Sequence, residues 1–238
     1  MRHTFTYLKS TIKAILYRPQ LRTLFSSIRF YPQWRKYNQP GRNPVAEKLP
    51  WMVFSAIAYL KKRSRPGMRV FEYGSGGSTL FWAARVASVV SVEHDRAWYE
   101  KLRPQLRTSE NAHVTYLLAE PEPDPSFGKM SYRDPHDYIS HDQHYDGKNF
   151  ERYAKTIDRY PEAYFDVIVV DGRARPSCIK HAIPKLKKGG LLVVDDTERE
   201  FYLRPFNWDK PHWITKRFAG PGPFFREFCE TSIFTKLF

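Results

Sequence analysis

Apolar positions in this chain come in short blocks with two different periods. Arg69–Tyr73 (RVFEY), Val89–Glu93 (VVSVE), Val114–Leu118 (VTYLL), Phe165–Val170 (FDVIVV) and Leu191–Asp195 (LLVVD) read as strands. Thr79–Ala87, Arg96–Leu106 and Ser177–Lys187 lie between them as helices, and Leu49–Lys62 precedes the first strand as another, with Pro50 suited to its first turn. The strand runs are continuous Val, Ile and Leu rather than alternating, which suits strands buried on both faces. Strand–helix alternation of this kind predicts an α/β protein with an open, doubly wound, mostly parallel sheet and helices on both faces.

Three segments depart from the alternation. Glu120–Ala163 is a long polar insertion between the third and fourth strands, and it reads as a loop or lid. His212–Phe218 and Thr231–Lys236 flank Gly-Pro-Gly-Pro and predict an antiparallel pair at the sheet edge. Pro32–Pro44 reads as a linker, dividing a basic arm over residues 1–46 from a domain over residues 47–238. On this division, removal of Met1–Asn43 is expected to leave a folded domain.

A hydrophobic content of 42% with 27% charged residues is globular. No apolar run approaches the roughly 18–20 residues that span a bilayer. The N-terminus shows no secretory h-region, and Cys178 and Cys229 have no paired spacing, so a cytoplasmic setting is expected. The net charge of +14 is uneven. Residues 1–46 hold nine Lys/Arg and no Asp or Glu, while the remaining 192 residues hold 30 basic and 25 acidic side chains. Within the arm, Leu8, Ile12, Ile15 and Leu16 share a helical face beside Lys9, Lys13 and Arg18. That face either packs on the domain, the plainer reading, or meets anionic lipid. No recognition-helix or RNP-type signature is present, which disfavours nucleic acid.

The stretch EYGSGGST, Glu72–Thr79, joins the first strand to its crossover helix. In a doubly wound sheet, ligands bind outside the carboxyl ends of the strands, and glycine lets backbone approach them closely. An acidic residue two positions before Gly74 would repel a pyrophosphate but suits a cationic amino-acid head. Glu93, 19 residues after Gly74, stands where a carboxylate can grip ribose hydroxyls. Together these favour a positively charged nucleoside without phosphates; the plainer alternative is a tight strand–helix turn and nothing more.

EYGSGGST, VVSVEHD, FDVIVVDG and KKGGLLVVDD, in this order and spacing, resemble the class I S-adenosylmethionine-dependent methyltransferases over Leu49 to about Asp196. The resemblance implies a seven-stranded Rossmann-like sheet with a reversed last strand, which the tail fits. It implies that Glu72, Gly74, Ser75 and Gly76 line the methionine end of S-adenosylmethionine and that Glu93 holds the ribose. The loop near Ala119 and Glu120 would border the adenine, and Asp171 would face the cofactor from the fourth strand.

Asp171, Asp195 and Asp196 follow the fourth and fifth strands, adjacent in such a sheet. Three carboxylates there need a cation or positive side chains to neutralise them. The arrangement is similar to metal-dependent O-methyltransferases of the catechol, caffeoyl-CoA and antibiotic-sugar types, which implies a magnesium site at these aspartates. The lysine of the catechol type is replaced by Ala174, between Arg173 and Arg175, and arginine cannot act as a base. The alternative makes Asp195 and Asp196 caps for a helix over Thr197–Tyr202. Asp171, with His141 or His144 of the insertion, is then the candidate catalytic group; solvated loop histidines are the plainer reading. Trp51, Trp82, Trp98, Trp208 and Trp213 are expected in core or rim packing. The function expected is methyl transfer to oxygen of a small-molecule or glycan-like acceptor. The rivals are N-methylation, against which the absence of Asn/Asp-Pro-Pro-Tyr after the fourth strand counts, and a non-catalytic nucleoside-binding module.

Overall fold

A computed structural model describes residues 2–17, 21–107, 113–209 and 211–238. The chain begins with two helices, α1 (Arg2–Tyr17) and α2 (Leu21–Tyr37), then a single turn, α3 (Pro44–Glu47), and α4 (Phe54–Arg63). The main sheet contains β1 (Arg69–Tyr73), β2 (Ser88–Glu93), β3 (His113–Leu118), β4 (Phe165–Val170), β5 (Leu186–Val194), β6 (Trp213–Gly220) and β7 (Cys229–Lys236). Connecting them are α5 (Gly77–Ala83), α6 (Arg96–Leu106), the short α7 (Glu151–Ala154) and α8 (Arg175–Lys185).

The strand order is β3-β2-β1-β4-β5-β7-β6, with β1 to β5 parallel and the last two antiparallel. Successive residues of each central strand feed opposite layers. Phe71, Val90, Ile168 and Leu192 pack on one face, and Val70, Val89, Val167 and Leu191 on the other. This double burial is the reason the strands read as unbroken apolar runs. The order reverses between β1 and β4, and the register there sets Tyr73 level with both Val92 and Val170, and Val170 level with Val194. The residues that follow these positions therefore meet at one edge.

Several expectations change. The predicted helix at Leu49 starts instead at Phe54, whose amide donates to Pro221 O (2.9 Å). The ten residues before it cross the start of α5, so closely that a Cβ on Gly77 would lie 2.1 Å from Pro44 O and 2.3 Å from Leu49 O. The insertion at 120–163 is built rather than loose. A two-strand ribbon ties Glu122–Pro123 to Lys148–Asn149, and Phe150, Tyr153 and Ile157 are fully buried in the core.

Residues on the two sides of the boundary at 46 pack together. The expected linker is partly helix, with Pro32 inside α2. Tyr7, Phe30 and Trp34 form a cluster with Phe54, and Trp34 Nε1 donates to Phe225 O (3.0 Å). Each buried side chain of this size contributes on the order of 2–3 kcal/mol. Loss of Met1–Asn43 would strip Phe54 of this cover. The predicted packing of the α1 apolar face is also corrected. Tyr7, Ser10 and Thr11 face inward, while Leu8, Ile12 and Leu16 are exposed. The Ile15 side chain and Arg18 lie outside the described residues. No described helix is long and apolar enough to cross a membrane.

Candidate functional site

The β1–α5 turn uses each of its glycines differently. Gly74 has φ +87, and a Cβ on it would sit 3.0 Å from Asp171 O and from Gly172, so the turn presses against the end of β4. Gly77 is needed where Pro44 and Leu49 cross. Gly76 alone opens outward, with nothing within 4 Å of its Cβ position. It lines a cleft of about 670 Å³, within the range of small-molecule sites, bounded by the ends of β1, β2, β4 and β5.

Glu93 projects into this cleft from the end of β2. Its Oε2 accepts from Ser75 N (3.1 Å) and Ser75 Oγ (2.6 Å), and its Oε1 from His94 N (2.7 Å) and Asp95 N (3.0 Å). Burial opposes ionisation, but the hydrogen bonds and charge of His94, with those from Ser75 and Asp95, outweigh it and bring the carboxyl down to about 2. Glu93 is thus an anion at any physiological pH. The ring of His94 sits between it, at 2.8 Å, and Tyr145 OH, 2.9 Å away.

Glu72 is placed elsewhere. It is fully buried beneath the turn, where Oε2 accepts from Thr79 Oγ1 (2.5 Å) and Ser91 Oγ (2.8 Å) while Oε1 has no partner. Burial pushes its carboxyl up to about 7, against those hydrogen bonds. The expected contact of Glu72 with the methionine end is therefore replaced by a role under the turn, where it ties α5 to β2. Glu120 also departs from expectation, since its carboxylate pairs with Arg96 on the surface and Ala119 is buried. Gly74, Ser75, Gly76, Glu93 and Asp171 do line the cleft together.

The three aspartates do converge, around Arg175. This buried side chain sends Nη2 to Asp171 Oδ1 (3.2 Å) and Asp196 Oδ2 (3.1 Å), Nε to Gly172 O (3.1 Å), and Nη1 to Asp195 O. The carboxylate of Asp195 accepts instead from Thr231 Oγ1 (2.5 Å). Ala174 and Asp196, on either side of the arginine, have φ of +46 and +54, and such left-handed non-glycine residues concentrate at functional sites. A hard divalent ion needs several oxygens aimed at one open point. Here the guanidinium stands between the carboxylates and supplies the neutralising charge itself, so the donor set does not fit the expected magnesium. Asp196, Glu198 and Cys229 also approach one another within 4.8 Å, but burial pushes the Cys229 thiol up and away from the thiolate a metal prefers. The capping alternative is not seen either, because only a short turn at Glu200–Tyr202 follows.

Burial pushes the Asp171 carboxyl up to about 7, with Asp196 adding to it against the pull of Arg175. His141 lies behind the arginines, with Nε2 3.0 Å from Arg199 Nη1 and Nδ1 3.3 Å from Tyr202 OH. Burial, then the charges of Arg199, Arg175 and Arg173, lower its pKa, so the ring is neutral near pH 7. His144 is exposed on the insertion, its ring edge-on to that of Tyr145 at 5.0 Å.

Several cleft residues escaped the sequence reading. Trp98 is held by the Asp95 cap at the start of α6 and donates from Nε1 to Ser75 O (3.0 Å). Trp51, Tyr145 and Phe225 reach the cleft from three segments distant in sequence. The acidic cap just after Glu93 was a usable signal for Trp98; nothing local marked the other three. Trp82 and Trp213 are core, and Trp208 stacks on Phe234 at 3.9 Å.

No protein-family model matches the chain, and no curated protein matches its sequence. Solved structures do match in fold. The O-methyltransferase TomG from Streptomyces achromogenes, involved in tomaymycin synthesis and solved with SAM, superposes with a TM-score of 0.54 at 15% identity, over 92% of this chain and 100% of its own. A methyltransferase from Geobacter sulfurreducens gives 0.51 at 14% identity, over 95% and 96% of the two chains. With the strand order above, the chain has the Rossmann-like fold of class I methyltransferases.

Proposed function

We propose that this chain is an S-adenosylmethionine-dependent methyltransferase that methylates a hydroxyl of a small-molecule or glycan-like acceptor. One observation carries the reading: an ionised Glu93 at the end of β2 faces the same cleft as the bare Gly76. A carboxylate able to accept two hydroxyl donors, beside a wall with no side chain, suits a ribose and its attached amino acid. TomG, of the same fold, was solved with SAM. Ser75 Oγ, now on Glu93, can turn to Tyr116 OH (2.7 Å) and free the carboxylate for ribose.

S-adenosylmethionine, when bound, supplies an activated methyl group; the protein's part is to place the acceptor in line and take its proton. Asp171 is the proton acceptor in this reading. It borders the cleft, and a carboxyl raised to about 7 is matched to neutral operation. Arg175 holds Asp171 and Asp196 in place, and His141 remains neutral behind them as a second base for protons leaving the site.

Calorimetry with S-adenosylmethionine tests the reading. Glu93→Ala is expected to weaken binding about 100-fold or more, having lost two charge-assisted hydrogen bonds. Equal affinity of the variant, or no binding by the parent chain, overturns it. Labelled methyl transfer into a cell extract split into lipid, glycan, RNA and protein fractions would then identify the acceptor class.

A further inference from the structure

The α1–α2 hairpin is built inside out. Its inward face carries buried Ser10, Thr11, Thr23 and Ser27, with Ser27 Oγ donating to Thr23 O (2.8 Å) and Thr11 Oγ1 to Tyr7 O (3.0 Å). Outside stand Phe5, Leu8, Ile12 and Leu16 on α1, 51–78% exposed, and Phe25 and Ile28 on α2, 70% and 68% exposed. With Leu24, these are seven of the ten large hydrophobics exposed among the described residues. The hairpin cannot roll to hide them. Tyr7 OH donates to Ser27 O (2.6 Å), Ser10 Oγ to Arg226 O (3.1 Å), and Tyr7 packs on Trp34 at 4.7 Å.

The same surface is cationic. Lys9, Lys13, Arg29, Arg35 and Lys36 are exposed on these helices, in a segment with no acidic residue. The nearest counter-charge, Glu227, lies 3.9 Å from Lys13 with both side chains at least 80% exposed, an arrangement easily exchanged. Branched aliphatic side chains have no role on phosphate backbone or stacked bases, whereas they bury readily among acyl chains beside anionic headgroups.

We propose that this outer face is a docking surface for an anionic lipid bilayer, holding the protein flat on the membrane without a spanning segment. The inference does not depend on the reaction proposed above. A structural link joins the two, since α1 and α2 carry the 222–226 loop, through Ser10 to Arg226 O and Trp34 to Phe225 O, and Phe225 borders the cleft.

The test is flotation of the full chain with phosphatidylcholine vesicles and with phosphatidylcholine–phosphatidylserine vesicles at about two to one. Binding is expected on the anionic vesicles, weakening as salt rises. Lys9→Gln with Lys13→Gln is expected to lower that affinity about 25-fold, near fivefold per charge. Ile12→Asp with Leu16→Asp is expected to abolish flotation on the anionic vesicles. These side chains are exposed, so the thermal melt of each variant should match the parent and show that folding is not the cause. Failure of the parent chain to float on anionic vesicles overturns the proposal. So does a parent dimer in sedimentation that Ile12→Asp with Leu16→Asp splits while flotation is unchanged, because the face would then serve a second copy.

Discussion

Arg175 Nη2 lies 3.1 Å from Asp196 Oδ2, and the same nitrogen lies 3.2 Å from Asp171 Oδ1, so one guanidinium ties the end of β5 to the end of β4. The ion pair crosses the sheet where the cleft opens. It holds two mutually repelling carboxylates, and the backbone oxygen of Asp195, in a rigid wall and occupies the ground a metal would need.

Removal of that guanidinium leaves Asp171 without its partner and Asp196 with Arg199 alone, at a cost on the order of 3–5 kcal/mol. Arg175→Met is expected to lower the melting temperature by many degrees, and Arg175→Lys to recover only part of it, because a lysine cannot reach both carboxylates at once. EDTA is expected to leave methyl transfer of the parent chain unchanged. A magnesium requirement would show that the arginine moves aside.

The pH profile follows from Asp171. Its base form appears as pH rises through about 7, so kcat/KM is expected to climb across that value and then level. Asp171→Asn is expected to lower the rate by at least ~100-fold on the plateau above pH 7 while S-adenosylmethionine still binds in calorimetry. An unaltered profile in the variant would transfer the role to His141, and the corresponding test is His141→Gln.

Gly76 and Gly77 are neighbours with opposite expectations. A Cβ on Gly76 points into open cleft, and its φ of 168° is extended backbone that any residue adopts. Gly76→Ala is therefore expected to melt like the parent and to lose cofactor affinity. Gly77→Ala drives a methyl into Pro44 O and is expected to lose stability by roughly 1–3 kcal/mol. Calorimetry and thermal melts on the two variants separate ligand contact from packing.

Glu72 makes stability depend on pH. Its carboxyl rises from an ordinary 4.5 to about 7 in the folded chain, so folding takes up a proton between those values. The contribution of the neutral acid is complete below the unfolded value and is lost as pH rises through about 7. Glu72→Gln keeps an oxygen for Thr79 and Ser91 without the buried charge. It is expected to match the parent near pH 5 and to exceed it by up to roughly 3 kcal/mol near pH 8.5, in chemical denaturation at the two values.

The main sheet was legible in the chain because each central strand is apolar on both faces, and such runs have few other places to go. Arg69–Tyr73, Arg96–Leu106 and Phe165–Val170 have the bounds their periodicity predicts. The helix at Leu49 began late because Pro44–Val53 is spent crossing Gly77, a packing demand with no local signature. The insertion read as loop because Phe150, Tyr153 and Ile157 are spaced among polar residues, and their burial depends on the layer they enter.

At the site, residue type and spacing identified the groups placed at strand ends, since the end of a buried strand has one direction in which to continue. Gly74, Glu93 and Asp171 fall in this class. Spacing could not say where a side chain turns after leaving the strand. Whether Glu72 faced cleft or core depended on Thr79 and Ser91 meeting beneath the turn, and whether the aspartates met an ion or an arginine depended on α8 delivering Arg175 between them. The hairpin shows the limit most plainly. An amphipathic pattern names two faces, and only the partners of Tyr7 and Ser10, remote in the chain, determined that the apolar one would look outward.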